Sequence, residues 1–221
     1  MHYKLSTSWE EGIADLTARL ITELRKGRRV LWLLSGGSNI RASVEVMDSI
    51  ADNLTNNLSL LLADERFGPA GHKDSNWQQL LDAGFETKQA TAYEVLTGQS
   101  SLSAAAVAYT ALAEKAFSEA DLIVAQLGIG EDGHILGILP DSPAVAARSL
   151  AYAYDGGKFQ RLTLTAEAMK QINTAYVFAF GEGKHEALLQ LRRQKVAASA
   201  QPAQLLKLIS EVYIYNDQLG G

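Results

Sequence analysis

The sequence contains no cysteine in 221 residues. That excludes a disulfide scaffold, thiolate catalysis and cysteine-ligated zinc. It has no surplus of positive charge either. Lys and Arg number 20 against 25 Asp and Glu, a net charge of −5, which argues against a general nucleic-acid binder. No apolar run approaches the ~18 residues of a membrane span. The opening Met1-His2-Tyr3-Lys4 lacks the apolar core of a signal peptide. The expectation is a cytoplasmic protein with neither membrane nor nucleic-acid partners. Internal repeats and linkers rich in Pro, Gly or Ser are also missing, so residues 1–221 read as a single domain. What is present is ordinary globular composition, 47% hydrophobic and 20% charged. A chain of this size can bury roughly 70% of its unfolded surface without staples.

Apolar residues Ile13, Leu16, Leu20, Ile21 and Leu24 recur at helical spacing and predict a helix over 8–26, ended by Gly27. Val30–Leu34 is a continuous apolar run, as suits a strand covered on both faces. Residues 40–52 follow as a helix, with Ser38 or Asn39 as cap. The alternation continues with strands at 58–63, 90–95, 121–127, 162–164, 175–180 and 211–215. Between them, helices are predicted over 74–83, 101–119, 165–172, 183–194 and 202–208. Strands alternating with helices predict an α/β fold, a doubly wound and mainly parallel sheet with helices on both faces. Ligands of such sheets bind outside the carboxyl ends of the strands.

Three loops at those ends are unusual. Ser35-Gly36-Gly37-Ser38 fits a phosphate cradle at a helix N-terminus, and equally a tight turn with a serine cap. Asp64-Glu65-Arg66 follows a buried strand as a charged loop, either solvated or part of a site. Asp74-Ser75-Asn76-Trp77 then reads as a capped helix start. Gly128-Ile129-Gly130-Glu131-Asp132-Gly133-His134 contains a literal G-x-G-x-x-G, but it runs into Pro140 instead of opening a helix, so a dinucleotide site is rejected. Its Asp-x-His suits a general base with an orienting carboxylate. Two nearby ligands are too few for a metal. His2, His72 and His185 read as surface residues. Arg161, before a short strand, and Lys184, in the first turn of a helix, are cations that an anionic ligand would explain.

In this order the pieces resemble the 6-phosphogluconolactonase family and its relatives, the glucosamine-6-phosphate deaminases. The resemblance runs through Ser35–Ser38, Asp64-Glu65-Arg66 with Ser75-Asn76, Gly128–His134, Pro140, Arg161-Leu162-Thr163, Gly181 with Lys184, and Pro202-Ala203. It implies a modified Rossmann-type sheet, no metal or other cofactor, and a small-molecule sugar phosphate as ligand. The matched positions are Gly36, Gly37, Ser38, Asp64, Arg66, Arg161 and Lys184 for substrate, with His134 as general base and Asp132 beside it. Leu139 stands where deaminases carry a glutamate, and Arg66 where they carry a tyrosine; both favour the lactonase branch. Ile135 after His134 matches the deaminases instead. Asn39-Ile40, and Ile135, Gly137 and Ile138, replace residues usual in lactonases.

The implied reaction is hydrolysis of the lactone ester of 6-phosphogluconolactone, a step of the pentose phosphate pathway, by a water that His134 activates. No G-x-S-x-G nucleophile motif is present, so direct water attack is expected over an acyl-enzyme. The alternatives are an amino-sugar phosphate deaminase and a sugar-phosphate-binding protein without catalysis.

Overall fold

The structure is a computed structural model that describes residues 1–6, 8–193 and 195–220. It opens with strand β1 (His2–Leu5) and helix α1 (Glu10–Arg25). Helix α1 begins on Glu10 and Glu11 and ends on Arg25, matching the helix dipole at both ends. Gly27, at φ 76°, lets the chain turn out of it. Then come β2 (Val30–Leu34), a 3₁₀ turn over Gly37–Asn39, α2 (Ile40–Asp48), β3 (Leu58–Leu62), β4 (Asp64–Arg66) and α3 (Asn76–Asp82). The middle of the chain is β5 (Thr91–Tyr93), α4 (Leu102–Glu119), β6 (Leu122–Gly128), β7 (Ala151–Asp155) and β8 (Gln160–Leu164). Helix α5 (Ala166–Met169), β9 (Thr174–Ala179), α6 (His185–Arg193), a 3₁₀ turn over Pro202–Leu208 and β10 (Glu211–Asn216) complete it.

Seven strands form a sheet in the order β1-β10-β9-β6-β2-β3-β5. Every neighbouring pair in it is parallel. All residues of β2 and β9 are buried, as strands covered on both faces require. The chain winds from β2 through β3 to β5 at one edge, then restarts on the other side of β2 with β6. The carboxyl ends of β2 and β6 therefore border the crevice where a doubly wound sheet holds its ligand.

The expected parallel sheet is present, and three strands were not foreseen. Strand β1 is a partly exposed edge. Strands β7 and β4 flank β8 in a second, antiparallel sheet of order β4-β8-β7. Asp64-Glu65-Arg66 is thus strand β4 and not a loop, and the strand expected at 162–164 belongs to this smaller sheet. Ala63 joins the two sheets: its N–H donates to Leu34 O at 2.7 Å, and its carbonyl accepts from Leu164 N at 2.9 Å. The helix expected over 40–52 stops at Asp48, and the one over 202–208 is a 3₁₀ turn. Gln194, the last residue of the helix expected over 183–194, lies outside the described residues.

Glu65 explains how α3 is held. It is 1% exposed, and its carboxylate accepts from Ser75 Oγ at 2.8 Å, Asn76 N at 2.6 Å, Trp77 N at 3.1 Å and Arg66 N at 2.7 Å. A carboxylate at a helix N-terminus satisfies N–H groups that the helix itself leaves open. Ser75 is the cap, within the capped start expected at 74–77, and its Oγ accepts from Gln78 N at 3.1 Å. Burial pushes the Glu65 carboxyl above its ordinary range, and these donors oppose that shift. Glu65→Ala leaves several buried donors without an acceptor. It should cost about 3 kcal/mol of stability, measured as a lowered urea midpoint with an unchanged slope.

Candidate active site

The three sequence-predicted loops meet in one cavity of about 260 Å³. Its floor is Ser35–Asn39 after β2 together with Gly128–Gly130 at the end of β6. Asp64 and Arg66 of β4, Arg161 of β8, Asn76 of α3, His134 and Lys184 close the sides. Lys184 ends the 3₁₀ turn Glu182–Lys184 that leads into α6, and so does not lie in the α-helix itself.

Buried Gln126 of β6 secures the floor. Its Nε2 donates to Asn39 O at 2.9 Å, its Oε1 accepts from Ser43 Oγ at 3.0 Å, and its backbone carbonyl accepts from Ser35 Oγ at 2.9 Å. Ser38 and Asn39 were the expected caps of α2. Asn39 occupies the cap position, but its side chain makes no capping bond. The backbone enters α2 from a 3₁₀ turn already in the helical region, and the Asn39 amide lies over Gly128 instead. A methyl group at Gly128 would come within 2.7 Å of Asn39 Nδ2.

The same device recurs twice. A Cβ at Gly36 would collide with the Asn76 amide, and one at Gly130 with the His134 ring and Asp132. None of these three glycines has a positive φ. They are small to make room. Gly37 (φ 63°) and Gly133 (φ 78°) serve the turns themselves.

His134 Nδ1 lies 2.6 Å from Asp132 Oδ1, which also accepts from His134 N at 3.1 Å. Burial alone would raise the Asp132 carboxyl, but the bonds and charge of His134 outweigh it and hold the group below its ordinary value. An ionised carboxylate can only accept, so Nδ1 carries a proton, and in the neutral ring it is Nε2 that has the free lone pair. Asp132 is exposed and stands behind His134, outside the cavity lining. The geometry thus supports an orienting role for it.

Arg66 and Arg161 face each other directly in the β4–β8 register. Like charges in that position repel. Arg66 Nη1 donates to Asp74 O at 3.0 Å, and its guanidinium lies over the Phe159 ring at 5.5 Å. The Nε atoms of both arginines are buried without a hydrogen-bond partner. Two cations opposed at the side of a cavity are the electrostatic signature of an anion site.

His72 is not a plain surface residue. It is half-buried, and its Nε2 lies 2.9 Å from Arg66 O, so it braces the strand that carries Arg66. His2 and His185 are exposed as expected. Sequence reasoning also missed Asn39, Asn76 and Gln126. Neutral amides carry no charge pattern to find them by.

Burial pushes the Asp64 carboxyl above its ordinary value, against the pull of Arg66, Arg161 and His134. The folded state then holds that proton more tightly than the unfolded chain. Stability falls as pH rises from the ordinary value through the folded one. Asp64→Asn should therefore raise the melting temperature at pH 7, and the gain should vanish below the ordinary carboxyl value of 3.8. Thermal melts at both pH values check this; an equal gain at both would point to packing instead.

The family model described as glucosamine-6-phosphate isomerases/6-phosphogluconolactonase matches residues 6–214. A protein named 6-phosphogluconolactonase from Rhizobium meliloti is 27% identical over 184 residues, covering 80% of this chain and 79% of the relative. One of the same name from Mycobacterium tuberculosis is 27% identical over 176 residues, covering 72% and 71%. Among solved structures, a 6-phosphogluconolactonase from Shewanella baltica shares the fold with a TM-score of 0.80 at 22% identity, covering 98% of this chain and 97% of that one. A monomeric glucosamine-6-phosphate deaminase does so with a TM-score of 0.76 at 19% identity, covering 98% and 97%. With nearly its whole length matched, the chain belongs to the glucosamine-6-phosphate isomerase/6-phosphogluconolactonase family.

Proposed function

We propose that this protein is a 6-phosphogluconolactonase, working as one domain on a single soluble sugar phosphate. The observation that carries this reading is the Asp132–His134 pair, 2.6 Å apart, beside a cavity lined by Arg66, Arg161 and Lys184. The names of the relatives supply the substrate.

Arg161, Lys184 and the backbone N–H groups of Gly36, Gly37 and Ser38 hold the phosphate. Fixing that end of the sugar brings the lactone carbonyl to His134 and lowers the entropic part of the barrier. His134 Nε2 takes a proton from water as its oxygen bonds to the carbonyl carbon. Arg66 stabilises the oxyanion that forms. The tetrahedral intermediate collapses, the bond from the carbonyl carbon to the ring oxygen breaks, and His134 returns the proton to that oxygen. Asp132 holds the imidazole in the tautomer that each transfer needs. Asp64 stands at the substrate's hydroxyl-bearing side as a buried acceptor.

The deaminase reading needs an acid at position 139. Leu139 is apolar and packs against the core, which disfavours it.

Purified protein should hydrolyse 6-phosphogluconolactone above the spontaneous rate and leave glucosamine 6-phosphate unchanged. The reverse result would assign the other branch. His134→Ala should lower turnover by ~10²–10⁴-fold, with binding of 6-phosphogluconate nearly kept. Lys184→Ala and Arg161→Ala should each weaken substrate binding about ten- to hundredfold, the worth of a charge-assisted hydrogen bond. Calorimetry with 6-phosphogluconate reads both effects, and unchanged affinity in both cation variants would remove the phosphate assignment.

A further inference from the structure

Arg66 and Arg161 stand opposite each other across β4 and β8, and both line the cavity. Two like charges so placed need separate holds. The hairpin between β7 and β8, residues 155–160, supplies one for each. Phe159 presents its half-buried ring to Arg66, whose guanidinium carbon lies over it, 5.5 Å from the centroid. Gly156 makes room for Arg161, since a Cβ there would come within 2.9 Å of Arg161 Cδ and Nε. Gly156 N donates to Phe159 O at 2.9 Å, so the ring and the gap are fixed relative to each other.

The face of an aromatic ring attracts a cation, and more strongly where water is partly excluded. For Arg66 that attraction acts together with one hydrogen bond, from Nη1 to Asp74 O at 3.0 Å. A face contact and a hydrogen bond hold a planar guanidinium better than either does alone. Nη2 has no hydrogen-bond partner among the described residues and is the donor free for a ligand. Phe159 itself does not line the cavity, so any effect it has on a ligand passes through Arg66. Lys158 Nζ lies 5.2 Å from the same ring centroid, but Lys158 is exposed and outside the cavity lining.

We propose that Phe159 is a positioning residue, whose ring holds the Arg66 guanidinium in the place from which it meets the oxyanion, against the repulsion of Arg161. This rests on the lactonase reading and on the role of Arg66 within it. Phe159 touches neither the substrate nor the reacting atoms; it sets the aim of the cation that does.

A double-mutant cycle tests this. Phe159→Leu keeps an apolar side chain and removes the ring face. Its kcat on 6-phosphogluconolactone, corrected for spontaneous hydrolysis, should fall about fivefold, the worth of a cation–π contact at a partly exposed site. KM should stay within about twofold, because the phosphate is held by other groups. Phe159→Tyr retains the face and should keep the parent kcat. In an Arg66→Gln background, itself slower, Phe159→Leu should make no further difference. If Phe159→Leu lowers kcat by the same factor with and without the arginine, Phe159 only shapes the hairpin and the proposal is overturned. Lys158→Ala should leave kcat unchanged; a loss equal to that of Phe159→Leu also overturns it, since charge on the hairpin would then explain both. If the parent does not turn over the lactone, the function reading fails separately. Calorimetry with 6-phosphogluconate, whose carboxylate is the anion Arg66 would meet, then reads the same cycle: coupling between Phe159→Leu and Arg66→Gln sustains the proposal, and its absence overturns it.

Discussion

Three backbone positions without a side chain create the working surface of this protein. Gly36, Gly128 and Gly130 lie at the carboxyl ends of the two strands that border the switch in sheet winding. A polar group rests on each: the Asn76 amide, the Asn39 amide and the His134 ring. Protein interiors are packed closely enough that one added methyl group displaces its neighbours. An alanine at any of these positions would push an amide or the imidazole aside. The rest of the site depends on this clearance, because the strand ends fix the glycines and the glycines fix the polar groups.

The second determinant is the departure of the chain from the large sheet at Ala63. One residue bonds to both sheets, so β4 starts at a defined place and angle. Asp64, Glu65 and Arg66 then point to alternate sides, as successive strand residues must. Asp64 and Arg66 reach the cavity, while Glu65 turns away to cap α3. The capped helix returns Asn76 to the cavity. A triplet of charged residues thus does two jobs, with structural and ligand-facing roles divided by strand parity.

Much of this was legible in the sequence. The buried runs of β2, β3, β6 and β9 are mainly apolar, and their spacing predicts the parallel sheet. The histidine with its aspartate, the paired arginines and the glycine loops stand out by type and place. Strand β4 did not, since Asp-Glu-Arg has neither β-branched residues nor apolar alternation and pairs as an edge strand with β8. Strand β7 lay hidden in what reads as a long loop, because its pairing partner, not its composition, makes it a strand. The Glu65 cap, the Gln126 brace and the Asn76 amide over Gly36 are properties of three-dimensional neighbours, and no local pattern announces them. His72 was misread for the same reason, as its acceptor is a carbonyl six residues back.

The opposed arginines of β4 and β8 have a consequence for motion. Their mutual repulsion acts across the pairing of a strand only three residues long. That pair is held together against its own charge. An anion seated beside them would offset that repulsion. Amide hydrogen exchange along 64–66 and 160–164 should accordingly slow when phosphate ligand is added, while the seven-stranded sheet, whose central strands are buried, exchanges at the same rate with or without it.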